Sequence, residues 1–261
     1  MACGGAGQPC CPGSTCSASG TSCMAGTCKE CATDGATRPC GECGNTQTCS
    51  DGKWSACGSC CPTPVNDGWS SALDTGAWTR GFGDPSVDTA NKQLILSFDD
   101  VAQRKPNYSG GYVISFYVNI MSAPFVAHVD LSGFSNPTFP AFRRSTQSAP
   151  LSIGGMRYGG TWGSFNDWNG QLSAGGSAHV TIYVKANTAL AALATSTGFS
   201  AQSGWVTLTD GGGALGNFGL VGTNDSDLAA SDKTAAIGPI TGCAGLNDSQ
   251  VDALYTAKKE Y

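Results

Sequence analysis

The sequence predicts an all-β protein, two packed antiparallel sheets preceded by a small module held together by disulfides. Three observations lead there. The first is strict alternation over 111–120, where Tyr112, Ile114, Phe116, Val118 and Ile120 fall on one side of an extended chain and Val113, Ser115, Tyr117 and Asn119 on the other. The second is a series of about ten short segments rich in β-branched and aromatic residues, separated by turn residues and with no convincing helix between them. The third is that thirteen of the fourteen cysteines precede residue 62, leaving Cys243 alone in the rest of the chain.

In chain order, 1–61 reads as the Cys-rich module. Its first block spaces cysteine as C-x6-CC-x4-C-x6-C-x4-C-x2-C between Gly, Ser, Thr and Pro. It has almost nothing apolar to bury, so cross-links must supply its order. Cys28, Cys31, Cys40 and Cys43 also spell C-x2-C-x8-C-x2-C, the spacing of a tetrahedral thiolate site. Thiols this dense in an oxidising compartment are expected to end as disulfides instead. Residues 62–65, containing Pro62 and Pro64, read as a short stiff linker.

The β-domain is expected over 66–245. Candidate strands are 78–82, 92–98, 111–120, 125–131, 137–143, 151–158, 179–185, 204–209, 214–221 and 235–240, with 111–120 and 125–131 as neighbours and Leu190 to Leu193 as a helical turn. Over 125–131 the alternation sets Phe125, Ala127, Val129 and Leu131 against Val126, His128 and Asp130. The final segment, 246–261, changes register: Asn247 with Gln250 forms a capping box, Leu246 and Val251 form a staple, and Val251, Leu254 and Tyr255 share a stripe. A C-terminal helix should dock there on the sandwich.

Charged residues are 13% of the chain and the formal charge is −5, which gives no electrostatic reason to expect nucleic acid as a partner. No run approaches the roughly 18 consecutive apolar residues of a membrane helix. Met1-Ala2 leads straight into Cys3, so we expect an exported chain, secreted or at the cell surface, whose leader has been removed. A lipid-modified Cys3 is the competing idea; it would leave an odd thiol among the remaining thirteen.

The string GCAGLNDSQVDALY resembles the way concanavalin A-like, laminin-G-like domains finish, with a cysteine after the last strand and then a capped helix. The N-terminal Cys-Gly-Gly, Cys10-Cys11-Pro12-Gly13 and TCSDGKWSAC strings resemble Cys-rich modules of secreted bacterial surface proteins and hydrolases. The first resemblance implies a jelly-roll whose first and last strands lie close together, and secreted recognition of carbohydrate or protein ligands. It therefore implies that Cys243 pairs with one of Cys57, Cys60 or Cys61, clamping the module to the jelly-roll. It also implies structural calcium, for which Asp84, Asp88, Asp99, Asp100, Asp225 and Asp227 in turns are the candidate ligands.

Acidic residues decide most about chemistry. Glutamate occurs only at Glu30, Glu42 and Glu260, so the β-domain lacks the paired glutamates with which glycosidases of the jelly-roll class mostly work. No G-x-S-x-G elbow is present. A polysaccharide lyase or hydrolase remains as an alternative, with His128, His179 and Tyr183 as candidate catalytic groups. Tyr117, Asn119, His128, Asp130, His179, Tyr183 and Trp205 are expected to converge on one polar face. The loop at 158–171 adds Trp162, Asn166, Asp167 and Trp168, flat apolar faces among hydrogen-bonding groups that suit a sugar. The leading expectation is a secreted, non-catalytic, lectin-like protein that binds polysaccharide or glycoconjugate and needs no cofactor. A structural or adhesive surface protein that self-associates through its Cys-rich module is the third.

Overall fold

A computed structural model describes residues 3–40, 45–58, 61–105, 108, 110–123, 125–131, 138–149, 151–156, 177–186, 188–195, 198–202, 205–207, 219–223 and 234–257. The chain divides into two compact units, Met1–Cys60 and Cys61–Tyr261.

The first unit carries the short strands β1 (Ser22–Met24), β2 (Thr27–Lys29), β3 (Thr37–Cys40), β4 (Asn45–Ser50) and β5 (Lys53–Trp54), paired as β1-β2 and β3-β4-β5. Cross-links Cys3–Cys11, Cys10–Cys23, Cys16–Cys28, Cys31–Cys49 and Cys40–Cys57 hold it. Cys28, Cys31 and Cys40 are thus spent on disulfides, which overturns the thiolate-site spacing. Trp54 is fixed by its indole N–H donating to the Glu30 carbonyl and by the Arg38 guanidinium 4.5 Å from its ring centroid.

The second unit is mostly β-sheet with one short helix. Its strands are β6 (Thr63–Asp67), β7 (Trp78–Phe82), β8 (Ser86–Asp88), β9 (Gln93–Leu96), β10 (Val101–Arg104), β11 (Gly111–Ile120), β12 (Phe125–Asp130), β13 (Thr138–Arg144), β14 (Ser152–Met156), β15 (Ser177–Lys185), β16 (Thr188–Thr195), β17 (Gly198–Gln202), β18 (Val206–Thr207), β19 (Gly219–Thr223), β20 (Ala235–Ile237) and β21 (Ile240–Leu246), followed by α1 (Asp248–Thr256). Among the described residues they form a six-stranded sheet, β14-β13-β12-β19-β10-β7, and a ten-stranded sheet whose main path is β17-β16-β15-β11-β20-β9-β8. In the larger sheet β18 pairs with β16, and β21 pairs with both β11 and β6. Ile114, Phe116, Val118 and Ile120 from one sheet share a core with Phe125, Ala127, Val129 and Phe142 from the other. All are nearly removed from water, which at about 25 cal/mol per Å² makes this core the main stabilising term.

Several expectations are corrected. The two alternating segments β11 and β12 are not hydrogen-bonded neighbours, because the chain crosses between sheets after Ile120. The Pro62-Thr63-Pro64 stretch is no linker, since β6 pairs with β21 from Asp67↔Ile240 to Thr63↔Ala244. A proline is tolerated there because, among the described residues, β6 pairs on one side only. Leu190 to Leu193 lie in β16, held in register with β15, so sheet pairing overrides the helix preference of Ala and Leu. Segment 235–240 is two strands, broken at Gly238-Pro239.

The C-terminal helix forms as its caps dictate. Asn247 accepts from the Gln250 N–H at 2.9 Å and the Gln250 side chain accepts from the Asn247 N–H at 3.0 Å. Val251 and Leu254 are buried, and the helix packs on β11 and β15. Cys243, in β21, is bonded to Cys61, one of the three partners considered for it.

Candidate functional site

The side chains expected to share one face are divided between two sheets. Tyr117, Asn119, His179 and Tyr183 belong to the ten-stranded sheet and His128 and Asp130 to the six-stranded one. The cause lies in the crossing after β11: alternation assigns a residue to a face of its strand, and pairing decides which sheet the strand joins.

On the ten-stranded sheet the outward row of β11 is graded. Val113 and Ser115 are buried, Tyr117 is exposed and Asn119 is half-buried. Ser115 and Thr181, in register, share a buried hydroxyl–hydroxyl bond of 2.8 Å. Tyr183 is wholly buried against Tyr255 of α1, ring centroids 5.4 Å apart, and Trp205 meets the same tyrosine at 5.7 Å. The Lys185 ammonium lies 4.4 Å from the Trp205 ring centroid and pairs with Asp252. Tyr183 and Trp205 therefore help dock the helix. His179 stands beside Tyr117 in register and is half-buried.

On the six-stranded sheet, His128 lies on the face opposite the shared core, where Val126 and Ala141 are also buried. It is in register with Ala141 of β13 and Val221 of β19, and Val126, two residues earlier, is in register with Arg143. The imidazole is only 3% exposed, and among the described residues its Nδ1 has no hydrogen-bond partner. Burial penalises the imidazolium, so the pKa is pushed down to about 3 and the ring is neutral at physiological pH. A buried polar atom left unmet costs about 1–3 kcal/mol. Asp130 comes two residues later in the strand, in register with Gly219. Arg144, adjacent to Arg143, is consumed by the carbonyls of Ile120, Gln147 and Ala149. Sequence reasoning missed Ala141 and Val221 as the neighbours of His128, because strand partners leave no local signal.

Trp162, Asn166, Asp167 and Trp168 lie outside the described residues, as do Asp225 and Asp227. Three of the other aspartates considered for calcium have work in the turns. Asp100 is 4% exposed, its two oxygens accepting the Asp84 N–H at 2.7 Å and the Ser97 N–H at 2.6 Å. Asp84 pairs with Arg80. The side-chain amide and backbone N–H of Asn91 hold the Asp88 carboxyl below its usual range. Among the described residues the only three potential metal ligands that gather are Cys10, Cys16 and Cys28, all in disulfides. Replacing Asp100 by alanine strands two backbone donors and should cost about 2–4 kcal/mol, read as a lower urea midpoint; a change below about 0.5 kcal/mol would contradict this role.

A cavity of about 210 Å³ is lined by Asn66, Asp67, Trp69, Ser71, Leu73 and Trp78 among others. Its carboxylate, Asp67, already takes the Arg104 guanidinium at 2.7 Å and the Tyr108 hydroxyl at 2.7 Å, which identifies it as structural.

No protein-family model matches the chain, and no curated protein matches it. Solved structures do. A GH43B protein named for a xyloglucan PUL of Bacteroides ovatus matches at 14% identity with a TM-score of 0.50, covering 80% of this chain and 46% of its own. The GH43 protein BlXynB of Bacillus licheniformis matches at 10% identity and 0.49, over 69% of this chain and 39% of its own. The exoplasmic/lumenal domain of VIP36, in a Ca2+/Man3GlcNAc-bound form, matches at 9% identity and 0.45, over 66% and 85%. This chain thus spans less than half the length of the two GH43 proteins, and its likeness to the first is one of β-sheet fold.

Proposed function

We propose that this is a secreted or cell-surface protein whose concanavalin A-like jelly-roll binds carbohydrate without cleaving it. The observation that carries the reading is Tyr117, 43% exposed on β11 with His179 in register beside it and Asn119 two residues along the same face. His128 is only 3% exposed and burial pushes its pKa down to about 3, which makes it a poor proton acceptor near neutral pH and speaks against a lyase or hydrolase working through it. The absence of glutamate between Glu42 and Glu260 points the same way. We assign Trp162, Asn166, Asp167 and Trp168 to the same ligand on the composition of their loop, and the GH43B likeness makes a plant-type polysaccharide a reasonable first probe. The disulfides suit an oxidising compartment.

The test is a panel of soluble xylan, xyloglucan and alginate scored for both retention and product. The expected outcome is retention of at least one polymer with no reducing ends released and no unsaturated sugar absorbing in the near ultraviolet. Trp162→Ala or Trp168→Ala should weaken retention about tenfold or more, the 1.4 kcal/mol scale of a lost ligand contact. Turnover of any polymer, or retention of none, would sink the proposal.

A further inference from the structure

The six-stranded sheet ends at β7, which among the described residues pairs with β10 alone. An end strand turns alternate backbone groups outward, where another chain can pair with them. In β7 the inward groups identify the outward ones. The Lys105 N–H donates to the Ala77 carbonyl at 2.7 Å on the β10 side, and Thr79 is in register with Gln103, so the backbone groups of Trp78 and Arg80 face out. One residue meets both. The Asp74 N–H donates to the Trp78 carbonyl at 2.9 Å, and the Arg80 N–H donates to Oδ1 of Asp74 at 2.9 Å. Asp74 thus bonds the edge as a residue of a neighbouring strand would, its carboxylate standing in for a carbonyl. It does so at φ +67°, a left-handed conformation that aspartate tolerates better than most residues.

The loop that carries Asp74 is anchored on either side of the strand it covers. Leu73 is buried in the shared core, and the Trp69 indole N–H donates to the Gly238 carbonyl at 2.7 Å. The Arg80 guanidinium adds ion pairs to Asp74 and Asp84, but these side chains are exposed and such pairs contribute little, so the two backbone bonds matter most. Beyond Arg80 the regular edge stops. Gly81 is passed over between the pairs Arg80↔Ala102 and Phe82↔Val101, a bulge that bends the strand. Phe82, which follows, is 67% exposed.

We propose that Asp74 is an edge stop: it occupies the regular part of β7 and keeps a second copy of this chain from extending the six-stranded sheet there. A second copy is the fitting partner because an antiparallel strand pair is two-fold symmetric, so β7 of another molecule offers matching groups and its own exposed Phe82. This role is independent of carbohydrate binding.

The experiment measures the mass of the full chain by sedimentation from about 1 μM to about 1 mM. Asp74→Pro removes the N–H and the carboxylate together and cannot adopt φ +67°. Its mass should climb above that of the wild-type chain as concentration rises, toward about twofold. Adding Arg80→Pro should return the mass to the wild-type value, since proline has no N–H to offer a second copy and this N–H faces away from the β10 ladder. Should Asp74→Pro lose a cooperative urea melt, Asp74→Gly, which removes only the carboxylate, carries the same test. A variant mass that follows the wild type at every concentration overturns the edge stop. Association that persists with Arg80→Pro overturns it too, because the contact then lies elsewhere.

Discussion

Replacing Cys61 and Cys243 together by alanine is expected to lower the stability of the β-domain by about 3–5 kcal/mol. The bond joins residues 182 apart, and in the chain-entropy account its worth grows with the logarithm of the loop it closes. It also sits where the fold needs it. Among the described residues the strand β6 pairs with β21 alone, over five residues, and Cys243 is in register with Pro64, three residues after Cys61. Without the bond a short edge strand carrying a proline must hold its place by those five aligned pairs, and it should fray first. Alanine is the right replacement at Cys243, which is fully buried and gives a hydroxyl no partner. Because native domains have only about 5–15 kcal/mol in hand, the loss should be plain in a urea melt. A shift equivalent to less than about 1 kcal/mol would show that β6 is held by its ladder and not by the cross-link.

The second large effect is a pH dependence carried by one side chain. In the unfolded chain the His128 imidazole takes up a proton near pH 6.5, whereas in the folded protein its pKa is pushed down to about 3 by burial. Between those values only the unfolded chain binds the proton, so stability falls as pH decreases through this window. The slope from this group alone is about 1.4 kcal/mol per pH unit, and above about pH 6.5 it contributes no slope. Carboxylates titrate in the same range, so the quantity to measure is the difference between wild type and His128→Gln in urea unfolding at pH 7, 6, 5 and 4. That difference should move steadily in favour of the glutamine variant as pH falls. A difference independent of pH would mean that the imidazole is open to solvent and free to protonate.

How much of this was legible beforehand can be argued from β11 and its surroundings. The inward row Ile114, Phe116, Val118 and Ile120 is where alternation puts it, because the period of a strand is a local property. The outward row was only half read. Val113 and Ser115 look like surface positions in sequence, yet they are buried, on the stretch of sheet where the C-terminal helix packs, and nothing near residue 113 announces an element beginning at Asp248. The sheet partner of β12 was illegible for the same reason, and with it the separation of His128 from His179. The capping box at Asn247 was fully legible, since cap, staple and stripe lie within about ten residues of each other. Strand β16 was misread because Thr188–Thr195 is rich in Ala and Leu, whose local preference the ladder with β15 outweighs. Gly238-Pro239 was the signal in plain sight: it breaks the segment at 235–240 and clears the space beside Tyr117.

The central claim is that the protein holds carbohydrate on the face that carries the exposed Tyr117 and does not cleave it. The most direct measurement is the ring resonances of Tyr117 in a protein labelled at tyrosine, assigned by comparison with Tyr117→Phe and followed while oligosaccharides of the retained polymer are added near neutral pH. The account predicts a saturable shift of those resonances, with no product in the sample afterwards. Resonances that ignore the sugar, or that move while unsaturated or shortened oligosaccharides accumulate, would contradict it.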